Sequence, residues 1–456
     1  MLEEHPAFPW RKLGLRSSGP LEVTGANVRK FRLEEFLQNT PFGKRRMTKR
    51  KMIENAEIRF GSLDDSLSNN TIALSRTWTL VSDDKKIAQE QLDVNTCIAG
   101  GNSVHCLPAF MIIGFEKCST TALNIFLSYH PNLLTNWLEG RFFDHVRNIT
   151  ELEEQWRSYL QNLPAIPGGE NGGLGNFWTF EKSPSYAVSF KAPRIASALV
   201  PNTRLLAVTR NPTRRAYSMF LMFTNHYKGI SNAIRGQPVS FFVKNVVTGD
   251  IRCVTEPGLG GYAVPEGLAA TTDEWRFLSY PPDPKDFDVW VRHATEDLKS
   301  PKPYDTSRSH RIIFGGFYSY YLKNWIKYFP QENFVVIPSE QFFTEDVSSS
   351  LERLQVLLGL PVFDYSTITT KNQHSGRIEI ESPASSLNSW VNNYQHVPPM
   401  LDSTRQFLDD FYCESNKELS RMLGGRALPG YSCASETFNT HEQNGRPTNP
   451  DPETNT

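Results

Sequence analysis

The sequence predicts an α/β fold, a parallel central sheet flanked by helices. Three observations point there. Ala109-Phe110-Met111-Ile112-Ile113-Gly114 is a short apolar run ending in glycine, the pattern of a buried parallel strand. It passes through the polar loop Phe115-Glu116-Lys117-Cys118-Ser119-Thr120-Thr121 into Ala122-Leu123-Asn124-Ile125-Phe126-Leu127, which reads as a helix. The unit then recurs. Thr203-Arg204-Leu205-Leu206-Ala207-Val208-Thr209 reads as a strand, Arg210-Asn211-Pro212-Thr213 as a turn, and Arg214 to Asn225 as a helix. A third strand is expected at Asn333-Phe334-Val335-Val336-Ile337-Pro338, after an amphipathic helix from Tyr318 to Phe329. Strands alternating with helices build a parallel sheet with helices on its faces.

Composition sets the limits. The 456 residues suit one large α/β domain with extensions, or two to three small domains. A hydrophobic content of 39% with 12% aromatic residues excludes a wholly disordered chain and supplies a core. The formal net charge of -1 argues against nucleic acid as a partner, while leaving room for a local basic pocket. No apolar run approaches the roughly 18–20 residues of a membrane span. Met1 to Leu15 lacks the apolar segment of a signal peptide, so the chain as given reads as soluble. Six cysteines, Cys97, Cys106, Cys118, Cys253, Cys413 and Cys433, show no CxxC spacing. Most are expected to be free thiols, although Cys97 and Cys106 are placed to close a short loop. No metal-ligand cluster is evident, and no metal is expected.

Along the chain, residues 1–105 read as a polar extension, with order beginning near Leu107. The extension carries the basic run Gly43-Lys44-Arg45-Arg46-Met47-Thr48-Lys49-Arg50-Lys51, a solvated face or a contact for an anionic polymer. Residues 106–430 hold the main domain. Within it, about 230–310 is rich in Pro, Gly and Asp and reads as an inserted lid or binding edge. Residues 431–456 read as a disordered tail.

A loop between a buried strand and a helix N-terminus is a natural anion site, because backbone N–H groups and the helix dipole converge on it. Lys117 adds a full charge there, and Ser119, Thr120 and Thr121 add hydroxyl donors. The pattern GxxxxGK[ST] is absent, so this is not the usual nucleotide triphosphate loop. Arg210 stands at the end of the second strand, where ligands bind in open α/β sheets. Ser218 follows eight residues later, two turns into the next helix. Arg210 offers a bidentate fork for phosphate and Ser218 a hydroxyl donor. Two such strand ends suit a ligand with phosphates at two positions.

Ile112 to Leu123, followed by His130-Pro131, resembles the 5′-phosphosulfate loop of sulfotransferases that use 3′-phosphoadenosine 5′-phosphosulfate (PAPS). Arg210-Asn211-Pro212-Thr213-Arg214-Arg215-Ala216-Tyr217-Ser218 resembles their 3′-phosphate motif. The resemblance is strongest to the Golgi glycosaminoglycan enzymes of the heparan sulfate N- and 3-O-sulfotransferase type. Glu139-Gly140-Arg141-Phe142-Phe143 is similar to their Glu-x-x-Phe-Phe segment, and Glu181-Lys182-Ser183-Pro184-Ser185-Tyr186 to their Glu-Lys-Ser/Thr-Pro-x-Tyr segment. Gly316-Phe317-Tyr318 and the closing helix around Phe407 to Leu423 continue the match, which covers about 107–425.

The resemblance implies a P-loop NTPase-like sulfotransferase fold and transfer of a sulfuryl group from PAPS to a carbohydrate. It implies Lys117, Cys118, Ser119, Thr120, Thr121, Ala122, Arg210 and Ser218 as cofactor contacts. It implies Glu139 as catalytic base, with Lys117 and Lys182 stabilising charge on the leaving and transferring groups. Taken singly, Glu139 is equally a solvated loop carboxylate, Lys182 a partner for Glu181 or Asp144, and His226 a structural residue. The resemblance also implies a Golgi lumenal or secretory setting, with any membrane association through an anchor not seen in this chain. Two departures stand out. Ser119 occupies a position where the family carries glycine, which tolerates positive φ. The family's late basic loop and its cysteine pair are not recognisable, leaving Lys371 or Arg377 to supply a cation. The alternatives are a catalytically degenerate nucleotide- or glycan-binding protein and, further off, a Mg²⁺-dependent phosphotransferase.

Overall fold

The computed structural model describes residues 79–82, 96–100, 103–136, 138–146, 152–167, 176–224, 239–256, 275–278, 281–297, 312–344, 346–367, 369–371, 378–380, 397–431 and 433. The basic run at 43–51, the two Asn-x-Thr sequons of the sequence (Asn69-Asn70-Thr71 and Asn148-Ile149-Thr150), His226 and Arg377 lie outside them. The chain divides into two compact units. The first comprises 1–210, 318–383 and 418–427, and the second 211–317, 384–417 and 428–456.

The first unit is built on five parallel strands. In chain order these are β4 (Phe110–Gly114), β5 (Leu133–Thr135), β6 (Trp178–Lys182), β7 (Arg204–Thr209) and β11 (Phe334–Pro338). Their spatial order is β11-β7-β4-β6-β5, and every pairing is parallel. The strands expected near 109–114, 203–209 and 333–338 are therefore β4, β7 and β11. Every residue of β4, β6 and β11 is buried, and β4 and β11 accordingly run almost unbroken in Phe, Met, Ile and Val. Helices follow the strands: α1 (Thr120–Ser128) after β4 and α4 (Ala192–Leu199) after β6. Between them lie α2 (Phe142–His145) and α3 (Leu152–Gln161). Helix α7 (Tyr318–Trp325) precedes β11, and α8 (Ser339–Thr344) and α9 (Val347–Leu358) follow it.

Strand order places the site. β4 lies between β6 and β7, so the chain leaves β6, passes over β4 and enters β7 on its other side. The strand order reverses about β4, and the crevice at the carboxyl ends beside it is where open α/β sheets take ligands. Ile112 pairs with Lys182 and Gly114 with Ala207, so the ends of all three strands reach one edge. Gly114 is needed at that edge. A Cβ there would come within 2.2 Å of the Ala187 Cβ, in the segment that crosses behind it.

Order begins well before Leu107. β1 (Thr79–Ser82), β2 (Thr96–Gly100) and β3 (Ser103–Cys106) form a separate three-stranded sheet. Cys97 and Cys106 sit directly opposite one another on β2 and β3 and are disulfide-bonded. β3 alternates half-buried and buried residues, and its Val104 and Cys106 join Cys97 and Ile166 in a small buried cluster. A hairpin of β12 (Thr369–Lys371), which includes Lys371, with β13 (Ile378–Ile380) completes the strands of this unit.

Part of the stretch read as an inserted lid or binding edge, about 230–310, is ordered and lies in the second unit. β8 (Val239–Asn245), β9 (Ile251–Glu256) and β10 (Trp275–Phe277) form an antiparallel sheet in the order β10-β8-β9. They pack with α5 (Pro212–Thr224), α6 (Pro284–Asp297) and α10 (Asp402–Met422), the last lying in this unit as far as residue 417. The core is aromatic: Phe220, Phe242, Phe287 and Trp290 meet in one cluster with Tyr217 and Tyr412. Tyr431 and Cys433, placed in the tail by sequence, are held. Cys433 is disulfide-bonded to Cys413 of α10, and the Tyr431 N–H donates to the Leu428 carbonyl. Among the described side chains, Cys118 is the cysteine outside a disulfide, so the expectation of mostly free thiols fails.

Candidate active site

The loop after β4 is held in an unusual backbone. Lys117 and Ser119 both have φ near 65° (65° and 66°), the left-handed region that costs an L-residue about 1–2 kcal/mol. Ser119 is the N-cap of α1 and makes no side-chain cap, so the first-turn N–H groups are left to an external acceptor. The position where glycine was expected does require glycine-like φ, and serine adopts it under strain. Two left-handed turns one residue apart, opening a helix, form a concavity of amide groups suited to anions. Cys118 and Thr120 are buried, Lys117, Ser119 and Ala122 half-buried, and Thr121 exposed.

Arg210 joins this loop. Its Nη1 donates to the Lys117 carbonyl at 3.3 Å, which ties the end of β7 to the end of β4. Tyr318, at the start of α7, braces both. Its hydroxyl donates to the Arg210 carbonyl at 2.6 Å and lies 3.5 Å from the Cys118 sulfur, and its ring packs 4.6 Å from Phe115. Tyr318 is fully buried, so its hydroxyl must find polar partners, and these are the ones it finds. The sequence places Tyr318 at the start of a helix, in the Gly316-Phe317-Tyr318 segment that resembles the family, but gives no local sign of this bracing role.

Lys182 ends β6 on the same edge. Its Nζ donates to Glu139 Oε1 at 2.9 Å. The lysine side chain is 7% exposed and the glutamate 35%. A cation sunk that far needs a counter-charge, and the glutamate supplies it while keeping a face toward solvent. The surface pairings with Glu181 or Asp144 do not form. The geometry therefore brings Lys117, Arg210, Lys182 and Glu139 to one edge of one sheet. Ser218 lies half-buried two turns into α5, in the second unit.

Beside Lys182, Glu181 points to the other face of β6, as alternation along a strand requires. It is fully buried and accepts from Tyr159 at 2.6 Å, Ser183 at 2.8 Å and Tyr186 at 2.6 Å. Burial pushes its carboxyl up, the three hydroxyls pull it down, and the nearby Asp144 charge raises it again; the balance lies above the usual glutamate range. Burial and the Glu181 charge together push both tyrosine phenols well above their ordinary range. Asp144 is held below its usual range, with burial outweighed by His145 and Ser185 hydrogen bonds and the His145 and Arg141 charges. His130 is pulled down by burial and stays neutral, its ring between the Pro361 carbonyl and the Asn132 N–H.

No helix among the described residues is long and apolar enough to cross a membrane. The chain is 25% identical over 335 residues to human "Bifunctional heparan sulfate N-deacetylase/N-sulfotransferase 3", covering 71% of this chain and 31% of that protein. It is 24% identical over 363 residues to the Bos taurus protein of the same description numbered 2, covering 78% of this chain and 33% of that one. The chain thus spans about a third of the length of the curated relatives it matches. A solved sulfotransferase from Alicyclobacillus acidocaldarius aligns with 15% identity and a TM-score of 0.42, over 72% of this chain and 99% of that one. The family model described as "Sulfotransferase domain" matches residues 107–378, a stretch that takes in the β4 loop, the Lys182–Glu139 pair and Arg210, and the chain belongs to that family.

Proposed function

We propose that this sulfotransferase moves the sulfuryl group of PAPS to a hydroxyl or amine of a carbohydrate, releasing adenosine 3′,5′-bisphosphate (PAP). The observation that carries the reading is the buried Lys182 bonded to the part-exposed Glu139, on the sheet edge that also holds Lys117 and Arg210. The donor set suits a doubly anionic ligand. First-turn amides of α1, Lys117 and the hydroxyls of Ser119, Thr120 and Thr121 suit one phosphate group, with Cys118 and Ala122 lending backbone. Arg210 suits the other. PAPS supplies an activated sulfuryl group. Transfer of such a group, like phosphoryl transfer, rests mainly on positioning and charge stabilisation. Glu139 accepts the acceptor's proton, which requires a carboxylate with access to solvent. Lys182, released from Glu139 as that proton arrives, offsets charge on the transferring group, and Lys117 does so on the leaving phosphate.

A glycosaminoglycan-like acceptor fits the relatives, whose names specify heparan sulfate. The two disulfides fit a lumenal or secretory compartment, where such bonds persist. Calorimetry with PAP tests the reading. Binding is expected in EDTA, and Arg210→Ala should weaken it by about 10–100-fold, the loss of hydrogen bonds to a charged group. Binding that needs Mg²⁺ points to a phosphotransferase, and absence of PAP binding overturns the reading.

A further inference from the structure

The Glu139 loop is laid on the end of β6 by three successive contacts. Glu139 accepts from Lys182 at 2.9 Å. Gly140 lies directly over Glu181, where a Cβ would meet Glu181 Oε1 at 2.6 Å and the Tyr159 ring at 3.2 Å. The Arg141 N–H donates to Ser183 Oγ at 3.0 Å, and that same hydroxyl donates to Glu181 Oε1 at 2.8 Å. Arg141 itself has φ 49°, a strained turn that needs an outside tether. Behind these contacts, no cation among the described residues pairs with the Glu181 carboxylate. It is satisfied by three hydroxyls, two of them on the tyrosines of an aromatic cluster with Phe142, Phe143 and Trp156.

We propose that Glu181 is a positioning residue: through Ser183 and the seat it gives Gly140, it sets the height of the 139–141 loop and so the Lys182–Glu139 pair. A buried carboxylate is costly, and hydroxyl donors alone offset it only in part. A polar group retained there has a structural consequence, and the consequence visible here is the tether on Arg141. The proposal rests on the reading of Glu139 and Lys182 given above, but its first measurement does not require activity.

The test compares wild type with Glu181→Gln, Ser183→Ala and Tyr159→Phe. Tyr159→Phe keeps the ring in the aromatic cluster and removes one donor, so it reports even if the first variant fails to fold. Amine labelling with acetic anhydride, read by mass spectrometry, follows Lys182. Opening of the pair should raise its labelling by about fivefold in Ser183→Ala, the value of one typical hydrogen bond. With PAPS and N-deacetylated heparosan, kcat should fall about tenfold or more while the KM for PAPS is unchanged, as expected when a reacting group is misplaced. Lys182 labelling equal to wild type in all three variants overturns the proposal, whatever the activity. Raised labelling in a protein that neither binds PAP nor turns over PAPS upholds the tether and sinks the catalytic reading instead.

Discussion

The sheet edge of the first compact unit and the core of the second handle polar groups in opposite ways. In the first, Lys182 is sunk at a strand end against one carboxylate that stays open to solvent, beside a loop with strained backbone at Lys117 and Ser119. In the second, polar groups are closed internally. Arg215 donates to the Ile312 carbonyl, Thr213 to Asp409, and Tyr412 to the Ile313 carbonyl, all within an aromatic core. A closed network rigidifies, whereas an open, strained one is available for chemistry. Substitutions in the second unit should therefore change stability first, and those at the sheet edge should change turnover first.

The largest effect sharpens the second half of that contrast. Phe220 is fully buried among Phe242, Phe287 and Trp290. Phe220→Ala should cost about 3–5 kcal/mol, from lost burial and the cavity left behind. Urea unfolding measures it, and a cost near zero would mean the second unit has no tight core. The next variant probes strain at the edge. Ser119→Gly places the residue suited to φ 66° in the β4 loop, for a gain of up to about 1 kcal/mol. PAP calorimetry on the same variant says whether the serine hydroxyl contributes to binding: weaker binding despite greater stability assigns it a contact.

The smallest effect concerns a surface pair of the second unit. Burial raises Asp288, but hydrogen bonds from Arg292 and Thr404 and the Arg292 charge outweigh it and hold the carboxyl below its usual range. A depressed carboxylate contributes stability above its unfolded value and loses it as pH falls through the folded one. The contribution is therefore present at neutral pH and lost below about pH 4. Being part-exposed, it should amount to a few tenths of a kcal/mol. Denaturant midpoints at pH 7 and pH 3 should converge for wild type and Asp288→Asn; a gap that stays constant with pH contradicts the assignment.

Legibility in the sequence followed the same division. β4, β7 and β11 are continuous apolar runs between polar loops, so each stood out as a strand and set the parallel sheet. β6 did not, because Trp178-Thr179-Phe180-Glu181-Lys182 mixes ring, hydroxyl and charge, and its burial depends on neighbours distant in the chain. The second unit hid behind the prolines and glycines around its short strands, whose apolar residues meet only in the folded cluster. Disulfide connectivity cannot be read from six cysteines, and Cys413–Cys433 joins a helix to what looked like a tail. At the site, the charged residues Lys117, Lys182, Arg210 and Glu139 were singled out because charge at strand ends carries its own signal. Tyr318 and Glu181 were not, since their roles lie in what they hold and not in what they present.

The most direct measurement of the central claim is transfer of radiolabelled sulfate from PAPS to a panel of glycans, by wild type and by Glu139→Gln. Glutamine keeps an acceptor for Lys182 and cannot take a proton. The account predicts transfer by wild type, a loss of about 10²–10⁴-fold in kcat for Glu139→Gln, and PAP binding equal in the two. Transfer that survives the substitution, or PAP binding without transfer to any glycan of the panel, would contradict it.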